Sequence, residues 1–168
     1  MKYNLTTKRL TLNSLTLNDA EFIFELVNTP EWKQFIGDRH IKTITDANEY
    51  IHKLMFNPAV NYWVVKLKDT ETSIGVITFI KREYLEHHDI GFAFLARYTK
   101  KGYAQEATIA VLNEVRKEAV HKLIHATTIK ENVNSIQLLK KLGFKFDKEI
   151  QVEKEVLLLY SNQSDELN

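Results

Sequence analysis

Residues 89–107 read Asp-Ile-Gly-Phe-Ala-Phe-Leu-Ala-Arg-Tyr-Thr-Lys-Lys-Gly-Tyr-Ala-Gln-Glu-Ala, and no other stretch says as much about the fold. Residues 89–96 are almost entirely apolar after Asp89, which predicts a central strand buried on both faces. The apolar positions that follow Gly102 predict a long helix starting directly after the turn. A buried strand that leads straight into a helix is typical of an α/β sheet.

The turn between this strand and this helix has the composition of an anion-binding loop. A helix N-terminus leaves about four backbone N–H groups unpaired and carries partial positive charge. Gly102 has no Cβ to block a phosphate, Ala104 keeps the first turn thin, and Lys100 and Lys101 add two cations. The spacing alone favours the alternative, a tight turn with solvated lysines. Neither a P-loop nor the three-glycine dinucleotide fingerprint is present.

The rest of the chain extends this pattern in both directions. Upstream, periodicity predicts a strand, two helices with a short element between them, and a hairpin: Leu10–Leu15, a helix after Asn18-Asp19, Trp32–Ile36, a helix capped by Thr45-Asp46 that ends near Met55, and strands 62–67 and 74–80. Downstream it predicts a strand, a helix closed by a glycine, and two final strands: Leu123–Ile129, Asn132–Leu142 before Gly143, and strands around Phe144–Phe146 and Val152–Tyr160. We expect one α/β domain over residues 1–160 and a polar tail over 161–168.

Composition restricts the class of protein. The 168 residues are 44% hydrophobic and 27% charged, which is ordinary for one globular domain. Cysteine is absent, which excludes disulfides, thiolate metal sites and a cysteine nucleophile. The net charge of +1 argues against a nucleic-acid-binding protein. Because the sequence has neither a membrane-spanning run nor a secretory signal at its start, we expect a cytoplasmic protein without a membrane partner.

A second segment makes the anion-binding interpretation specific. Strand 123–129 leads into Asn132-Val133-Asn134-Ser135, and Leu142-Gly143-Phe144 follows. With residues 89–107, this order resembles the GNAT superfamily of acyl-CoA-dependent N-acetyltransferases, whose pattern is strand, Arg/Gln-x-x-Gly-x-Gly/Ala, helix, strand, Asn-x-x-Ser, helix and Leu-Gly-Phe. Residues 89–95 and 102–107 are similar to the branch containing ribosomal-protein N-terminal acetyltransferases, and residues 29–32 and 35–39 to a bacterial subgroup within it. The resemblance covers roughly residues 7–150.

The resemblance implies a fold and an activity. The fold is a single α/β domain with a mixed, mostly antiparallel central sheet, splayed strands and flanking helices. The activity is acetyl transfer from acetyl-CoA to a primary amine, on a small molecule or a protein N-terminus, without a metal. Direct attack is expected because no cysteine can form an acyl-enzyme. The alternative function is a catalytically impaired CoA-binding sensor or interaction module, and a monomer and a homodimer both remain open.

The resemblance also assigns a CoA site. The backbone of the central strand's end would pair with the pantetheine arm: Phe94, Leu95 and Ala96. The loop and the first helical turn would hold the pyrophosphate: Lys100, Lys101, Gly102, Tyr103 and Ala104. Asn132 would bond the pantetheine amide, although it also suits a helix N-cap. Ser135 would bond the cofactor or the departing thiolate, although it also suits capping of the first turn.

Three positions depart from the family pattern. Thr99 stands where many members have Arg or Gln, and Lys100 stands where the loop often has a second glycine. Lys100 supplies a cation but lacks the backbone freedom of glycine, so weaker pyrophosphate binding is expected. Many members carry in the last helix a tyrosine that protonates the thiolate, and here that position is Leu139.

The residue types favour one general base and a separate acceptor side. Asp89 stands where related sequences have Glu, and we expect it to deprotonate the amine through a water molecule; the alternative is an ion pair with a nearby lysine. Although His87 and His88 precede it, adjacent strand residues point to opposite faces and cannot all ligate one metal ion. Asp38 and Arg39 would line the acceptor side by resemblance, or form a local ion pair with each other.

Overall fold

The computed structural model describes residues 4–164. Within them the strands are β1 (Leu5–Thr6), β2 (Leu10–Ser14), β3 (Val60–Leu67), β4 (Ser73–Ile80), β5 (Asp89–Phe94), β6 (Leu123–Thr128), β7 (Lys145–Val152) and β8 (Glu155–Gln163). The helices are α1 (Ala20–Val27), α2 (Pro30–Phe35), α3 (Ile44–Met55), α4 (Tyr103–Val115) and α5 (Val133–Lys141). Three short 3-10 turns lie at Leu17–Asp19, Ala96–Tyr98 and Ala119–His121.

All eight strands of the described chain form one sheet in the order β1-β2-β3-β4-β5-β6-β8-β7. Neighbouring strands are antiparallel except β5 and β6, which are parallel because α4 crosses over between them. The predicted α/β fold with a mixed, mostly antiparallel sheet and flanking helices is therefore confirmed.

Each face of the sheet carries its own apolar core. On one face α4 and α5 pack over β-strand residues that include Trp63, Phe79 and Ile90. On the other face α1, α2 and α3 pack over residues that include Tyr62 and Val64. Trp63 is 1% exposed and its neighbour Val64 0%, so β3 is buried on both sides, as its unbroken apolar run predicts. Because side chains alternate along a strand, successive residues of β5 face α4 and α5 on one side of the sheet and α1, α2 and α3 on the other.

Local signals explain where the helices begin. Thr43 caps α3, accepting the Asp46 N–H at 3.0 Å, while Asp46 Oδ2 accepts the Thr43 N–H at 3.0 Å. This reciprocal pair is a capping box, and it shows that the predicted Thr45-Asp46 cap lies inside the first turn. Thr29 caps α2 by accepting the Trp32 N–H at 3.3 Å, and Pro30 stands at the first position of the helix.

Two boundaries differ from the expectation. Strand β1 was not predicted, because two residues show no periodicity; it exists through pairing with β2. At the other end, β8 continues through Ser161 to Gln163, so the segment expected to be a polar tail from residue 161 begins as paired strand. Its last four residues lie outside the described part of the chain.

Candidate functional site: a gap between two parallel strands

The central feature of the site is a gap between β5 and β6. In the described chain these parallel strands pair at one position, Asp89 opposite His125, where the His125 N–H donates to the His88 carbonyl at 2.9 Å. Beyond that pair no further register joins the two strands within residues 4–164, although both continue for several residues. The sheet therefore opens toward the C-terminal ends of β5 and β6, which lead to α4 and α5.

Backbone alternation decides which residues of β5 face the gap. The Leu95 N–H donates to the Ile74 carbonyl of β4 at 3.0 Å. In an antiparallel ladder every second residue bonds the same neighbour, so the backbone groups of Phe92 and Phe94 point toward the gap. Leu95 also has its carbonyl occupied, by the Tyr98 N–H at 2.9 Å. Of the residues predicted to pair with a ligand, Phe94 turns its backbone groups toward the gap, whereas Leu95 turns its N–H toward β4. Phe92, which was not predicted, also turns its backbone groups toward the gap.

The loop before α4 holds two residues in the left-handed region. Lys100 has φ of +59° and Gly102 has φ of +80°. Lys100 therefore adopts a glycine-like conformation, contrary to the expectation from its side chain, at a cost of about 1–2 kcal/mol. Both Lys100 and Lys101 are exposed beside the amides that begin α4 at Tyr103. The predicted cluster of two cations at a helix N-terminus is present.

An arginine that the sequence analysis missed holds this loop in place. The Arg9 guanidinium donates from Nε to Glu106 Oε2 at 2.7 Å and from Nη1 to the Lys101 carbonyl at 2.9 Å. Its Cζ also lies 4.4 Å from the centroid of the Tyr103 ring. Arg9 thus connects the loop to the first turns of α4. No local pattern could reveal this, because Arg9 and Glu106 are 97 residues apart.

Glu106 is the acceptor on which this connection depends. Its Oε1 accepts from the Thr7 hydroxyl at 2.6 Å and from the Arg9 N–H at 2.9 Å. Burial by itself would raise the pKa of Glu106, but the hydrogen bonds from Thr7 and Arg9 outweigh burial and hold the pKa below its usual value. A carboxylate with a lowered pKa stabilises the fold above its unfolded-state pKa, and that stability is lost as pH falls through the folded-state pKa.

We expect Glu106→Gln to lower the free energy of unfolding by about 1–3 kcal/mol at pH 7, because it leaves donors of Thr7 and Arg9 poorly satisfied. The difference from wild type should shrink as pH falls below the unfolded-state pKa of glutamate and through the lowered folded-state pKa of Glu106. Urea denaturation at pH 7 and at a series of lower pH values measures both effects. Glu114→Gln is the matched control: Glu114, also on α4, pairs with the exposed Lys117 just beyond the helix, and an ion pair with an exposed partner contributes about 0–1 kcal/mol. Equal losses in the two variants would contradict this role for Glu106.

Asp89 lies at the vertex of the gap and is almost completely buried. It is 3% exposed, accepts the Thr127 hydroxyl at 3.1 Å, and lies 3.4 Å from Arg82 Nε. Burial raises the pKa of Asp89, although Arg82 and Thr127 oppose the shift. The alternative ion pair predicted for this residue is thus present, with an arginine rather than a lysine. A carboxyl group with a raised pKa is also what a general base needs.

The histidines beside Asp89 separate as predicted. His87 contacts His125, with ring centroids 5.2 Å apart, whereas His88 stacks on Phe79 at 4.7 Å and contacts His121 at 4.6 Å. Burial lowers the pKa of both His88 and His125, which favours their neutral forms. Among residues 4–164 no group of three or more His, Cys, Asp or Glu side chains is placed to hold a metal ion.

The start of α5 contributes a cap and two polar side chains. Asn132 is the N-cap, and its Oδ1 accepts the Ser135 N–H at 3.2 Å. The capping role considered for Asn132 is therefore present, and its amide nitrogen remains a separate donor group. Ser135 is half-buried in the first turn. Leu139, one turn further along α5, is 1% exposed and belongs to the core, so it has only a packing role here.

The loop between α2 and α3 contains the residues predicted for the acceptor side. Asp38 Oδ1 accepts the His40 N–H at 2.8 Å, and this hydrogen bond lowers the pKa of Asp38. Arg39 does not pair with Asp38 in the described structure; its Cζ lies 5.9 Å from the centroid of the Trp32 ring. The alternative of a local Asp38–Arg39 ion pair is therefore wrong, because each side chain has a different neighbour.

Comparisons with known proteins agree with this geometry. The chain matches the acetyltransferase (GNAT) domain family over residues 9–145. It is 32% identical to the uncharacterized N-acetyltransferase YnaD of Bacillus subtilis over 143 residues, which cover 84% of this chain and 82% of the relative. The protein belongs to the GNAT acetyltransferase family and is an acetyltransferase.

Two solved structures show how widely the same fold is used. One is the microcin self-immunity acetyltransferase MccE in complex with acetyl-CoA and AMP (TM-score 0.81, 20% identity, 94% of each chain covered). The other, from Salmonella typhimurium, modifies the N-terminal serine of a 50S ribosomal subunit protein (TM-score 0.80, 10% identity, 95% of this chain and 97% of that chain). At these identities the likeness establishes the fold. No helix within residues 4–164 is long and apolar enough to cross a membrane.

Proposed function

We propose that the protein transfers the acetyl group of acetyl-CoA to a primary amine by direct attack. The observation that carries this proposal is the gap that opens at Asp89 and His125 and leads to the N-terminus of α4. An extended chain can pair with the free edge of β5 inside such a gap, as an additional strand would. Membership of the GNAT family, and the acetyl-CoA bound to MccE, support the choice of ligand.

The parts of CoA match the groups that border the gap. The pantetheine arm would bond the backbone of Phe92 and Phe94, with the Asn132 side-chain amide as a further donor. The pyrophosphate would bind the first amides of α4, from Lys101 to Ala104, with Lys100 and Lys101 as counter-charges. Because Arg9 and Glu106 hold this loop in its left-handed conformation, the amides are oriented before the ligand arrives.

The chemistry requires a neutral amine. Its lone pair attacks the thioester carbon, a C–N bond forms, the C–S bond breaks, and the proton lost from nitrogen is balanced by the proton that the departing thiolate gains. At pH 7 deprotonation costs about 4.6 kcal/mol for a lysine-like amine and about 1 kcal/mol for an α-amine. Asp89 would accept that proton through a water molecule, since its raised pKa makes it a better base than an ordinary carboxylate.

Ser135 is proposed to assist the departing thiolate, because it lies in the first turn of α5 and Leu139 cannot donate a proton. We expect Ser135→Ala to lower kcat by less than Asp89→Asn does, because water can protonate a thiolate whose thiol has a pKa of about 8.5. Steady-state kinetics with the best acceptor tests this, and Asn134→Ala, an exposed change on the same helix turn, is the control. A kcat for Ser135→Ala as low as that for Asp89→Asn would contradict this order of importance.

The test of the proposed function is release of free CoA thiol in the presence of a panel of primary amines. Turnover with any amine, together with acetyl-CoA binding by calorimetry, supports the enzyme. The second candidate function is a CoA-binding sensor, favoured by the buried Leu139 at the family's tyrosine position. Tight acetyl-CoA binding without thiol release from any amine would support that candidate and overturn the first.

A further inference from the structure

Two buried hydrogen-bond donors on the α1–α3 face of the sheet have no partner among residues 4–164. They are the indole Nε1 of Trp32, a residue that is 5% exposed, and the hydroxyl of Tyr62, which is 8% exposed. Buried polar groups in folded proteins are nearly always hydrogen-bonded. Two open donors belonging to one packed cluster therefore indicate a ligand that supplies acceptor oxygens.

A row of directly opposite residues connects Tyr62 with the strand that borders the gap. Tyr62 on β3 is directly opposite Thr78 on β4, and Thr78 is directly opposite Gly91 on β5. Directly opposite residues share a face of the sheet, so this row leads from Tyr62 to the strand that borders the gap, over about 10 Å. Gly91 keeps the row open, because a Cβ at residue 91 would lie 2.7 Å from Thr78 Oγ1.

Arg39 adds a positive charge above the two donors. Its side chain is exposed, its Cζ lies 5.9 Å from the Trp32 ring centroid, and its charge acts on the Tyr62 phenol. The exposed cation thus stands over two buried neutral donors. A carboxylate accepts hydrogen bonds from all three types of group and is the ordinary partner of a guanidinium.

Tyr62 remains a donor at neutral pH. Burial, together with the neighbouring phenol of Tyr50, raises the pKa of Tyr62 well above its usual value, against the opposing effect of Arg39. Among residues 4–164 the Tyr62 hydroxyl makes no hydrogen bond within 3.5 Å, although the Tyr50 phenol is close enough to affect its pKa. The hydroxyl therefore has an unused hydrogen-bonding position in the folded chain.

The opposite end of the same surface carries the opposite charge. Asp89 lies two residues before Gly91 on β5, on the same face and about 7 Å away along the strand. An amine that approaches Asp89 along this face therefore has Tyr62 at the other end of the row, and Arg39 lies near both Tyr62 and Trp32. A carboxylate at one end and a cation with neutral donors at the other match a molecule that is both amine and acid.

We infer that the acceptor is a small primary amine that also carries a carboxylate, as amino acids do. The carboxylate binds the Arg39 guanidinium, the Tyr62 hydroxyl and the Trp32 indole N–H, and the amine points to Asp89 and the gap. This inference rests on the proposed function, because it assigns the second substrate of the same site.

Matched triples of acceptors test the inference: a free amino acid, its amide, and the amine left after removal of the carboxyl group. We expect kcat/KM of the wild type to favour the free acid. Tyr62→Phe and Arg39→Gln should each reduce that preference at least tenfold while the KM for acetyl-CoA stays unchanged. Comparing preferences between variants cancels the intrinsic pKa differences among the three amines. An equal preference in wild type and both variants would overturn the inference, as would an amide used as well as the acid.

A matched control separates this effect from general damage. Lys33→Gln removes an exposed cation from α2, the helix that carries Trp32, and should not change the preference. Tyr62→Phe deletes an unsatisfied hydroxyl and should fold as stably as wild type.

If no amine is acetylated, the proposed function fails, and calorimetry of an N-acetyl amino acid with CoA present decides the inference independently. Tenfold weaker binding to Tyr62→Phe than to wild type supports it, and equal binding overturns it.

Discussion

Asp89→Asn is expected to lower kcat about 10²-fold or more while leaving the KM for acetyl-CoA near its wild-type value. Asparagine keeps the size of the side chain and its hydrogen bond with Thr127 but cannot accept the proton of the amine. The acidic limb of the wild-type pH profile should lie above the usual aspartate pKa, because burial raises the pKa of Asp89. That limb should be absent in Asp89→Asn. Steady-state kinetics across pH, with the best acceptor, measures both effects.

The same pKa shift predicts a stability change of definite sign. Because the folded-state pKa of Asp89 is above its unfolded-state value, stability is greatest below the unfolded-state pKa and falls as pH rises through the folded-state pKa. Asp89→Asn should lack this dependence. Asp19→Asn is the control, since Asp19 is also buried and lies 3.8 Å from Lys66 Nζ, on another part of the sheet. Full kcat and an unshifted acidic limb in Asp89→Asn would make Asp89 a structural carboxylate.

Gly102→Val is expected to weaken acetyl-CoA binding at least tenfold while the domain still folds. Gly102 has φ of +80°, where a β-branched residue is strained by about 1–3 kcal/mol. A Cβ at this position would also lie 3.3 Å from Arg9 Nη2, so the guanidinium that holds the loop would have to move. Calorimetry with acetyl-CoA measures the loss, and circular dichroism verifies the fold.

Gly143→Val is the matched control for this substitution. Gly143 has φ of +83° and follows α5, and a Cβ there would lie 3.1 Å from Asn162 Nδ2. The backbone strain is therefore similar, but the position is at the far end of α5 from its N-cap Asn132. Both variants should lose stability, and only Gly102→Val should lose acetyl-CoA affinity. Equal affinity in both variants would remove the loop from the proposed CoA site.

Elements with strong local signals were predictable from the chain alone. The unbroken apolar run of β5, the β-branched and aromatic composition of β3 and β4, and the glycine that precedes α4 each act over a few residues. The same holds for Asn132 as the cap of α5. The cap of α3 shows the limit of this precision, because Thr43 and Thr45 are equally good capping types and only the backbone chooses between them.

Side-chain partnerships across the sheet had no local signal at all. Arg9 meets Glu106 across 97 residues, Thr127 meets Asp89 across 38, and Tyr62 faces Gly91 through Thr78 on an intervening strand. Burial raises the pKa of Asp89 only because the folded sheet removes it from water. Local periodicity and turn chemistry thus specify which elements form, whereas packing of distant elements decides which polar groups share one desolvated site. For this protein, local patterns specify the acetyltransferase fold, and the packing of distant elements creates the environment of Asp89, the proposed base, and of the two unpaired donors on the same face of the sheet.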